Sequence, residues 1–314
     1  MSLSVRRVPR HLVALAAAAV AVTGCSVTAS GPAHGAPEPE ISGIPVLADS
    51  ADLALPLDAY EATPEERELL VKAQQVLTTR CMDRLGFDYQ PPPQSGAAKA
   101  APNSRIYGVT DPETAARYGY RSPEETKSLA TRGKREPVSK AEETALFGAP
   151  DLRPDELPKS QQEAERQSGH GGVPVGGCTR ESFLKLYAPD PESVDVLYVF
   201  QLKSEAETRA RTDSRIKRVN ATWSACMAKS GYQAKEPMKA AEELGFTDAE
   251  LAEPQAITAA TVDVACKKKT NLVGTYYAVQ SAYQRRLVEE HAETLNLARQ
   301  QLRDRLRLAA SLTS

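Results

Sequence analysis

From Leu272 onward, apolar positions return in steps of three and four: Leu272, Tyr276, Val279, Tyr283, Leu287, Leu295, Ala298, Leu302, Leu306 and Ala309, with His291 on the same stripe. This is the 3.6-residue period of an amphipathic helix, and no glycine or proline interrupts it after Gly274. The pattern predicts one long helix, starting as early as Ile257, longer than most globular helices. Its first half is expected to fold back on the preceding helix as an antiparallel hairpin. The remainder is expected to project or to pair as a coiled coil.

Two earlier segments carry the same period behind capping signals. Thr63-Pro64-Glu65-Glu66 is a capping box with proline at the first helical position, followed by Leu69, Ala73, Val76, Leu77 and Cys81 on one face as far as Gly86. Ser204-Glu205-Ala206-Glu207 opens another, with Ile216, Val219, Trp223 and Cys226 on one face as far as Gly231. Both end alike, in Cys81-Met82 with Gly86-Phe87 and in Cys226-Met227 with Gly231-Tyr232, which reads as an internal repeat. In each, glycine supplies the left-handed closing residue and the aromatic folds back on the last turn.

Elsewhere the periods are short. Asp111-Pro112-Glu113 starts a helix ending near Gly119, and Ser139-Lys140-Ala141-Glu142 starts one ending at Gly148. Residues 90–105 read as a loop, and residues 149–177 are rich in Pro, Glu, Gln and Gly. The stretch Gly171 to Gly177 lacks phosphate-loop spacing and is expected to be mobile. Aromatics make up only 5% of the chain, so the core must come largely from Leu, Val, Ala and a few Tyr, which suits helix packing. The expected fold is all-α: a disulfide-stapled helical domain, bundle-like or hairpin-like, with long loops and a long C-terminal amphipathic helix. The expected division is 1–24, 25–62, 63–200 with long loops, and 201–314 as the hairpin.

The first two of those segments are not helix-bundle sequence. Arg6, Arg7 and Arg10 precede the apolar run Leu12 to Val22, which ends in Thr23-Gly24-Cys25. A basic start, a short apolar run and small residues at the cut describe an export signal; the run is too short for a membrane span of roughly 20 residues. Val22-Thr23-Gly24-Cys25 resembles a bacterial lipobox, in which the cysteine thiol receives a diacylglycerol. The expectation is lipidation of Cys25, anchoring at the extracytoplasmic face of the cell membrane, and a flexible tether over residues 25–62, rich in Ala, Pro, Gly and Ser. Removing the three signal arginines takes the formal charge from -2 to -5, which argues against a sequence-independent nucleic-acid partner.

Export to an oxidising compartment gives the four remaining cysteines, Cys81, Cys178, Cys226 and Cys266, a structural meaning. Three connectivities exist for four cysteines. The repeat favours Cys81 with Cys178 and Cys226 with Cys266, each helix-end cysteine pairing with the next one along. No two cysteines have zinc-site spacing, so no metal is expected.

Candidate chemistry is sparse. His291 reads as a half-buried core or interface residue. Asp83, Asp88, Asp111 and Asp263 are acids that a two-carboxylate hydrolase could use, although acids on helix surfaces are ordinarily solvated. Lys267-Lys268-Lys269 reads as a solvated helix face, and Trp223 as packing for the disulfide one turn on. No catalytic motif and no cofactor are expected.

Arg105-Ile106-Tyr107-Gly108-Val109-Thr110, Gly176-Gly177-Cys178, Trp223-Ser224-Ala225-Cys226-Met227 and Val264-Ala265-Cys266-Lys267, taken with the lipobox, resemble a group of uncharacterised secreted lipoproteins of actinobacteria. That resemblance implies export and disulfides and carries over no catalytic or binding residue. The expected role is a non-enzymatic binding or accessory protein of the cell envelope, touching the membrane through its lipid and an envelope protein through the C-terminal helix at Leu295 and Leu302. An accessory of an envelope transport system and a carboxylate-dependent wall hydrolase are the alternatives.

Overall fold

A computed structural model of the chain describes residues 37–91, 101–126, 138–167 and 172–314. The expected export signal, Cys25 and the first part of the expected tether lie outside the described residues. Among those described, the fold is all-helical with no strand.

The helices in chain order are α1 (Pro64–Arg84), α2 (Pro112–Tyr118), α3 (Lys140–Phe147), α4 (Gln161–Gln167), α5 (Gly177–Tyr187), α6 (Tyr198–Arg211), α7 (Ser214–Lys229), α8 (Ala240–Glu243), α9 (Pro254–Thr270), α10 (Leu272–Glu290) and α11 (Ala292–Thr313). The capping box of α1 forms as its sequence requires: Glu66 N donates to Thr63 Oγ1 at 3.2 Å and Thr63 N to Glu66 Oε2 at 2.8 Å, satisfying two helix-start groups that would otherwise lack partners. Gly86 and Gly231 both take φ +86°. Phe87 N reaches Met82 O at 3.0 Å, and Tyr232 N reaches Met227 O at 3.1 Å. A third instance, Leu244-Gly245-Phe246, closes α8 with φ +82° at Gly245 and Phe246 N on Ala241 O.

The disulfides join Cys81 in the last turn of α1 to Cys178 at the start of α5, and Cys226 in the last turn of α7 to Cys266 in the last turn of α9; the Cα–Cα distances are 5.6 and 5.7 Å. The internal repeat is therefore one of helix closure and does not extend to a repeated domain. One partner cysteine, Cys178, opens its helix and the other, Cys266, lies one turn before the end of its helix.

The single long C-terminal helix is instead three, broken at Asn271 and His291. Asn271 sits at φ +50°, a conformation asparagine tolerates better than most residues. Its side chain explains the break: Asn271 Oδ1 accepts from Leu47 N at 3.1 Å and Nδ2 donates to Pro45 O at 2.9 Å. A Cβ at Gly274 would stand 1.9 Å from Pro45 O, so only glycine lets this segment lie against α10. The helix expected from Ser204 to Ser230 is likewise two. Buried Asp213 stops α6 and caps α7, accepting from Arg215 N at 2.9 Å and forming a two-pronged ion pair with the Arg215 guanidinium.

The tether expected to run to residue 62 is corrected from Glu38 onward. Glu38 accepts from Ser214 N and Oγ at 2.6 and 2.9 Å. Leu55 and Leu57 are buried, and Leu57 N donates to Gln284 Oε1 at 3.0 Å. Asp58 accepts from Lys203 Nζ at 2.8 Å and from Asn103 Nδ2 at 2.7 Å. An irregular segment packs here because side chains of the bundle satisfy its backbone groups, the condition under which buried non-periodic chain is stable. Glu38–Ser314 form one compact unit, and position 200 falls inside α6.

Two regions of core fill that unit. The larger gathers Trp223, Met227, Leu272, Tyr276, Val279, Leu287 and their neighbours from α6, α7, α9 and α10. The smaller is divided into a cluster around Cys81, Met82, Leu146 and Cys178 and another of Leu70, Ala73, Leu186 and Ala309, with Leu302 and Leu306 packed against it. The apolar face of α11 lies along α1 and meets α5. It packs within its own chain, where a projecting or coiled-coil helix was expected.

Candidate functional site

Most residues that the sequence singled out are structural. Asp263 and Lys267, one helical turn apart on α9, are 0% and 1% exposed. Trp223 Nε1 donates to Asp263 Oδ1 at 2.8 Å, and Lys267 Nζ donates to Asp263 Oδ2 and to Val109 O, both at 3.0 Å. Burial pushes the Asp263 carboxyl up and the Lys267 ammonium down, and their mutual attraction opposes both shifts. The lysine run thus does not form a wholly solvated face, and Trp223 carries a polar bond besides its packing. Asp83 and Asp88 are exposed, while Asp111 caps α2 through Thr114 N at 2.7 Å. His291 is half-buried at the α10–α11 break, with Nδ1 2.9 Å from Tyr198 OH.

The glycine stretch expected to be mobile is, from Pro174 to Gly177, a close contact beside Cys178. A Cβ at Gly177 would stand 2.5 Å from Leu146 O, and one at Gly148 would stand 2.7 Å from the Gly176 Cα. Two backbones meet here without side chains between them. This fixes the start of α5, and α5 in turn forms a wall of a cleft.

That cleft surrounds the connection 188–197 between α5 and α6. A lobe of about 600 Å³ lies between α4, α5 and the connection. A lobe of about 270 Å³ lies on the connection's other side, against Tyr60, α1 and α11, and one of about 170 Å³ adjoins Leu308. Tyr187 borders all three. The largest of these three volumes, about 600 Å³, is of the order that small organic ligands occupy.

The connection is held in place on both sides. Gln301 Oε1 accepts from Val194 N at 2.8 Å, and Gln161 N donates to Ala188 O at 2.8 Å. Under it, α5 presents a ladder. Arg180 lies over Phe183 at 5.3 Å, Phe183 stacks on Tyr187 at 5.0 Å, and Arg305 covers Tyr187 at 4.5 Å. Arg180 Nε and Nη2 both donate to Pro158 O, and Arg305 Nε donates to Leu186 O. Desolvation lowers the pKa of both guanidinium groups, which nevertheless remain charged at physiological pH.

The acids of the cleft are engaged. Asp195 Oδ1 accepts from Leu197 N at 2.8 Å, Glu163 Oε2 from Lys159 N at 2.7 Å, and Asp190 Oδ1 from Ser193 Oγ at 3.3 Å. Lys159 and Arg166 are exposed and make no ion pair among the described residues. At the rim, Val196 is 38% and Leu197 55% exposed, and Phe200, one turn further, is 62% exposed. The larger lobe therefore presents three acids, three cations and apolar surface together, with Arg180 held in place by Pro158 O.

Sequence reasoning missed this site because its walls come from four separated segments, 60–70, 159–166, 180–199 and 298–308. Only the i, i+3, i+7 spacing of Arg180, Phe183 and Tyr187 on one helix face was available as a signal. Among the described residues, no group of three or more His, Cys, Asp or Glu is placed to hold a metal ion, and no helix is long and apolar enough to cross a membrane. No family model, curated protein sequence or solved structure matches this chain.

Proposed function

We propose that the chain is a non-enzymatic binding or accessory lipoprotein, held on the extracytoplasmic face of the cell membrane by a lipidated Cys25, with the cleft around residues 188–197 as its recognition site. The observation that carries the reading is the conjunction of a pinned cleft with the exposed apolar residues Val196 and Leu197 that line it, Phe200 being exposed one turn further on. Exposed apolar surface beside a concavity marks interaction sites more often than scattered single residues do. Two disulfides support residence in an oxidising compartment, and the sequence Val22-Thr23-Gly24-Cys25 supports the anchor. The recognition site moves from α11 to the cleft because Leu295 is 0% exposed and Leu302 packs against Leu70 and Ala73.

The test uses the native host. Cys25→Ser should release the protein from the membrane fraction and abolish incorporation of labelled fatty acid. A photo-crosslinking residue at Val196 should give a discrete adduct that the same residue at Lys217, exposed on α7, does not. Equal adducts at both positions would remove the cleft from this reading, and an unlabelled, unreleased Cys25 variant indistinguishable from the native chain would remove the anchor.

A further inference from the structure

We propose that the larger lobe of this cleft binds a small apolar zwitterion: an amino acid or short peptide whose ammonium and carboxylate are both free. The inference rests on the reading that the cleft is a binding site and adds the ligand's class.

Both ends of such a ligand have counterparts in the lobe. Three acids and three cations line its 600 Å³, and none of the six forms an ion pair among the described residues. Opposite charges that meet elsewhere do pair, as Arg84 and Lys185 do on Glu181, and Lys203 on Asp58 and Glu61. In the lobe the scaffold keeps them apart. Pro158 O holds Arg180 Nε and Nη2, Leu197 N holds Asp195 Oδ1, and Ser193 Oγ holds Asp190 Oδ1.

The signs are also sorted by wall. The connection 188–197 contributes Asp190 and Asp195 and no cation, whereas the side built from Lys159, α4 and α5 contributes all three cations. Glu163 on that side is already occupied, since its two oxygens accept from Lys159 N and Gln167 Nε2. The atoms left without a hydrogen-bond partner among the described residues are therefore acceptors on one wall, Asp190 Oδ2 and Asp195 Oδ2. On the other they are donors: Lys159 Nζ, the Arg166 guanidinium and Arg180 Nη1. A ligand of one sign meets its own charge on one of these walls, while a zwitterion laid across the lobe meets the opposite charge at each end. Arg180 and the two aspartates, held before binding, lose little freedom when it arrives. Between the charges, Val194, Val196 and Leu197 line the lobe, so an apolar side chain gains by covering them.

The experiment is calorimetric titration of the oxidised, exported chain carrying Cys25→Ser. The probes are leucine and leucyl-leucine, each also as its N-acetyl derivative, which lacks the ammonium, and as its amide, which lacks the carboxylate. Glycyl-glycine tests the apolar part. The proposal expects one-to-one binding of leucine or leucyl-leucine, and at least fivefold weaker binding of both capped forms and of glycyl-glycine. Lys159→Gln with Arg166→Gln should shrink the preference for the parent over its amide. Asp190→Asn with Asp195→Asn, which keep the acceptors for Ser193 and Leu197, should shrink the preference over the acetylated form. Tighter binding of leucine would identify a free amino acid as the source, and tighter binding of leucyl-leucine a short peptide. A capped form that binds as tightly as its parent, preferences unchanged in both variants, or no binding by a chain whose circular dichroism is native would overturn the proposal. In that case an adduct from the Val196 crosslinker to a protein or wall polymer leaves the binding-site reading standing with another ligand, whereas no adduct removes both.

Discussion

The two core regions carry one disulfide each, yet they are stabilised differently. Around Trp223 the disulfide Cys226–Cys266 borders a large continuous core and a buried ion pair, so apolar burial and packing act beside the cross-link in holding α6, α7, α9 and α10 together. Around Cys178 and Leu186, apolar contact is split into two small clusters. There α1, α3, α5 and α11 depend on the Cys81–Cys178 bond, on the Gly148–Gly176 contact, and on ion pairs at the surface such as Arg84–Glu181. The region with the weaker core is the one that bears the cleft. Recognition surfaces are commonly drawn from the less stable parts of a fold, and here a covalent bond secures the helix that forms the cleft's floor.

Removing each disulfide should expose that difference. In the chain-entropy model the Cys81–Cys178 bond, closing 97 residues, contributes about 5 kcal/mol and the Cys226–Cys266 bond, closing 40, about 4 kcal/mol. Beyond the totals, Cys81→Ala with Cys178→Ala should open α1, α3 and α5 to hydrogen exchange while α7 and α9 stay protected. Cys226→Ala with Cys266→Ala should lower protection across the whole unit. Identical exchange patterns in the two variants would show that the regions unfold as one.

The ion pair probes the larger core from within. Lys267→Met leaves Asp263 buried without its cation and should cost about 3–5 kcal/mol in urea unfolding, whereas Asp263→Leu combined with Lys267→Met should recover most of that loss. Equal losses for the single and double variants would mean that the pair itself, and not the stranded carboxylate, supplies the stability.

How far this contrast was legible in the sequence depends on whether a signal was local. Helix starts at Thr63, Asp111 and Ser139 and closures at Gly86 and Gly231 follow from groups within a few residues of one another, and they form as their chemistry dictates. The breaks at Asp213, Asn271 and His291 interrupt an unbroken apolar period, because partners far along the chain decide them: Tyr283 and Glu38 near Asp213, Pro45 and Leu47 at Asn271, Tyr198 at His291. Lys267 looks solvated beside Lys268 and Lys269, and only the acid one turn earlier, at Asp263, hinted otherwise. The packed arm has no period to read. The cleft is least legible of all, since its charge pattern emerges only when α4, α5, α11, the arm and the connection 188–197 come together.

The docking of α11 divides the two regions more gently. Leu295 belongs to the larger core and Leu302 to the smaller. Leu295→Ala should cost about 3 kcal/mol, near the middle of the range for buried leucines, and Leu302→Ala, only partly buried, about half that. The order would reverse if α11 left α1 in solution and paired with another molecule, because Leu302 would then be the contact and Leu295 an exposed flank. Sedimentation at increasing protein concentration, run beside the unfolding curves, separates the two cases.

The smallest expected effect concerns acid pH and the region that bears the cleft. Burial opposes ionisation of Glu181, but Arg84 Nη2 at 2.6 Å and Lys185 Nζ hold its carboxyl below the ordinary value near 4.5. A carboxyl whose pKa is lowered on folding contributes stability that is present above its unfolded value and lost as pH falls through its folded one. The Arg84–Glu181–Lys185 bridge should therefore support the α1–α5 contact at pH 7 and fade below about pH 4.5. Glu181→Gln should cost about 1 kcal/mol at pH 7, the upper end for partly exposed ion pairs, and the gap between native and variant should close as the pH is lowered past that window. Asp58 and Asp213 are lowered as well, with burial again opposed, by Lys203 and by Arg215, so the larger core also weakens in acid. It has a continuous apolar interior to fall back on and the smaller region does not, so exchange of α1 and α5 should accelerate at a higher pH than exchange of α7 and α10. If all four helices open together as the pH falls, the acid-sensitive bridges act on the whole unit and the stability difference between its halves is smaller than their cores suggest.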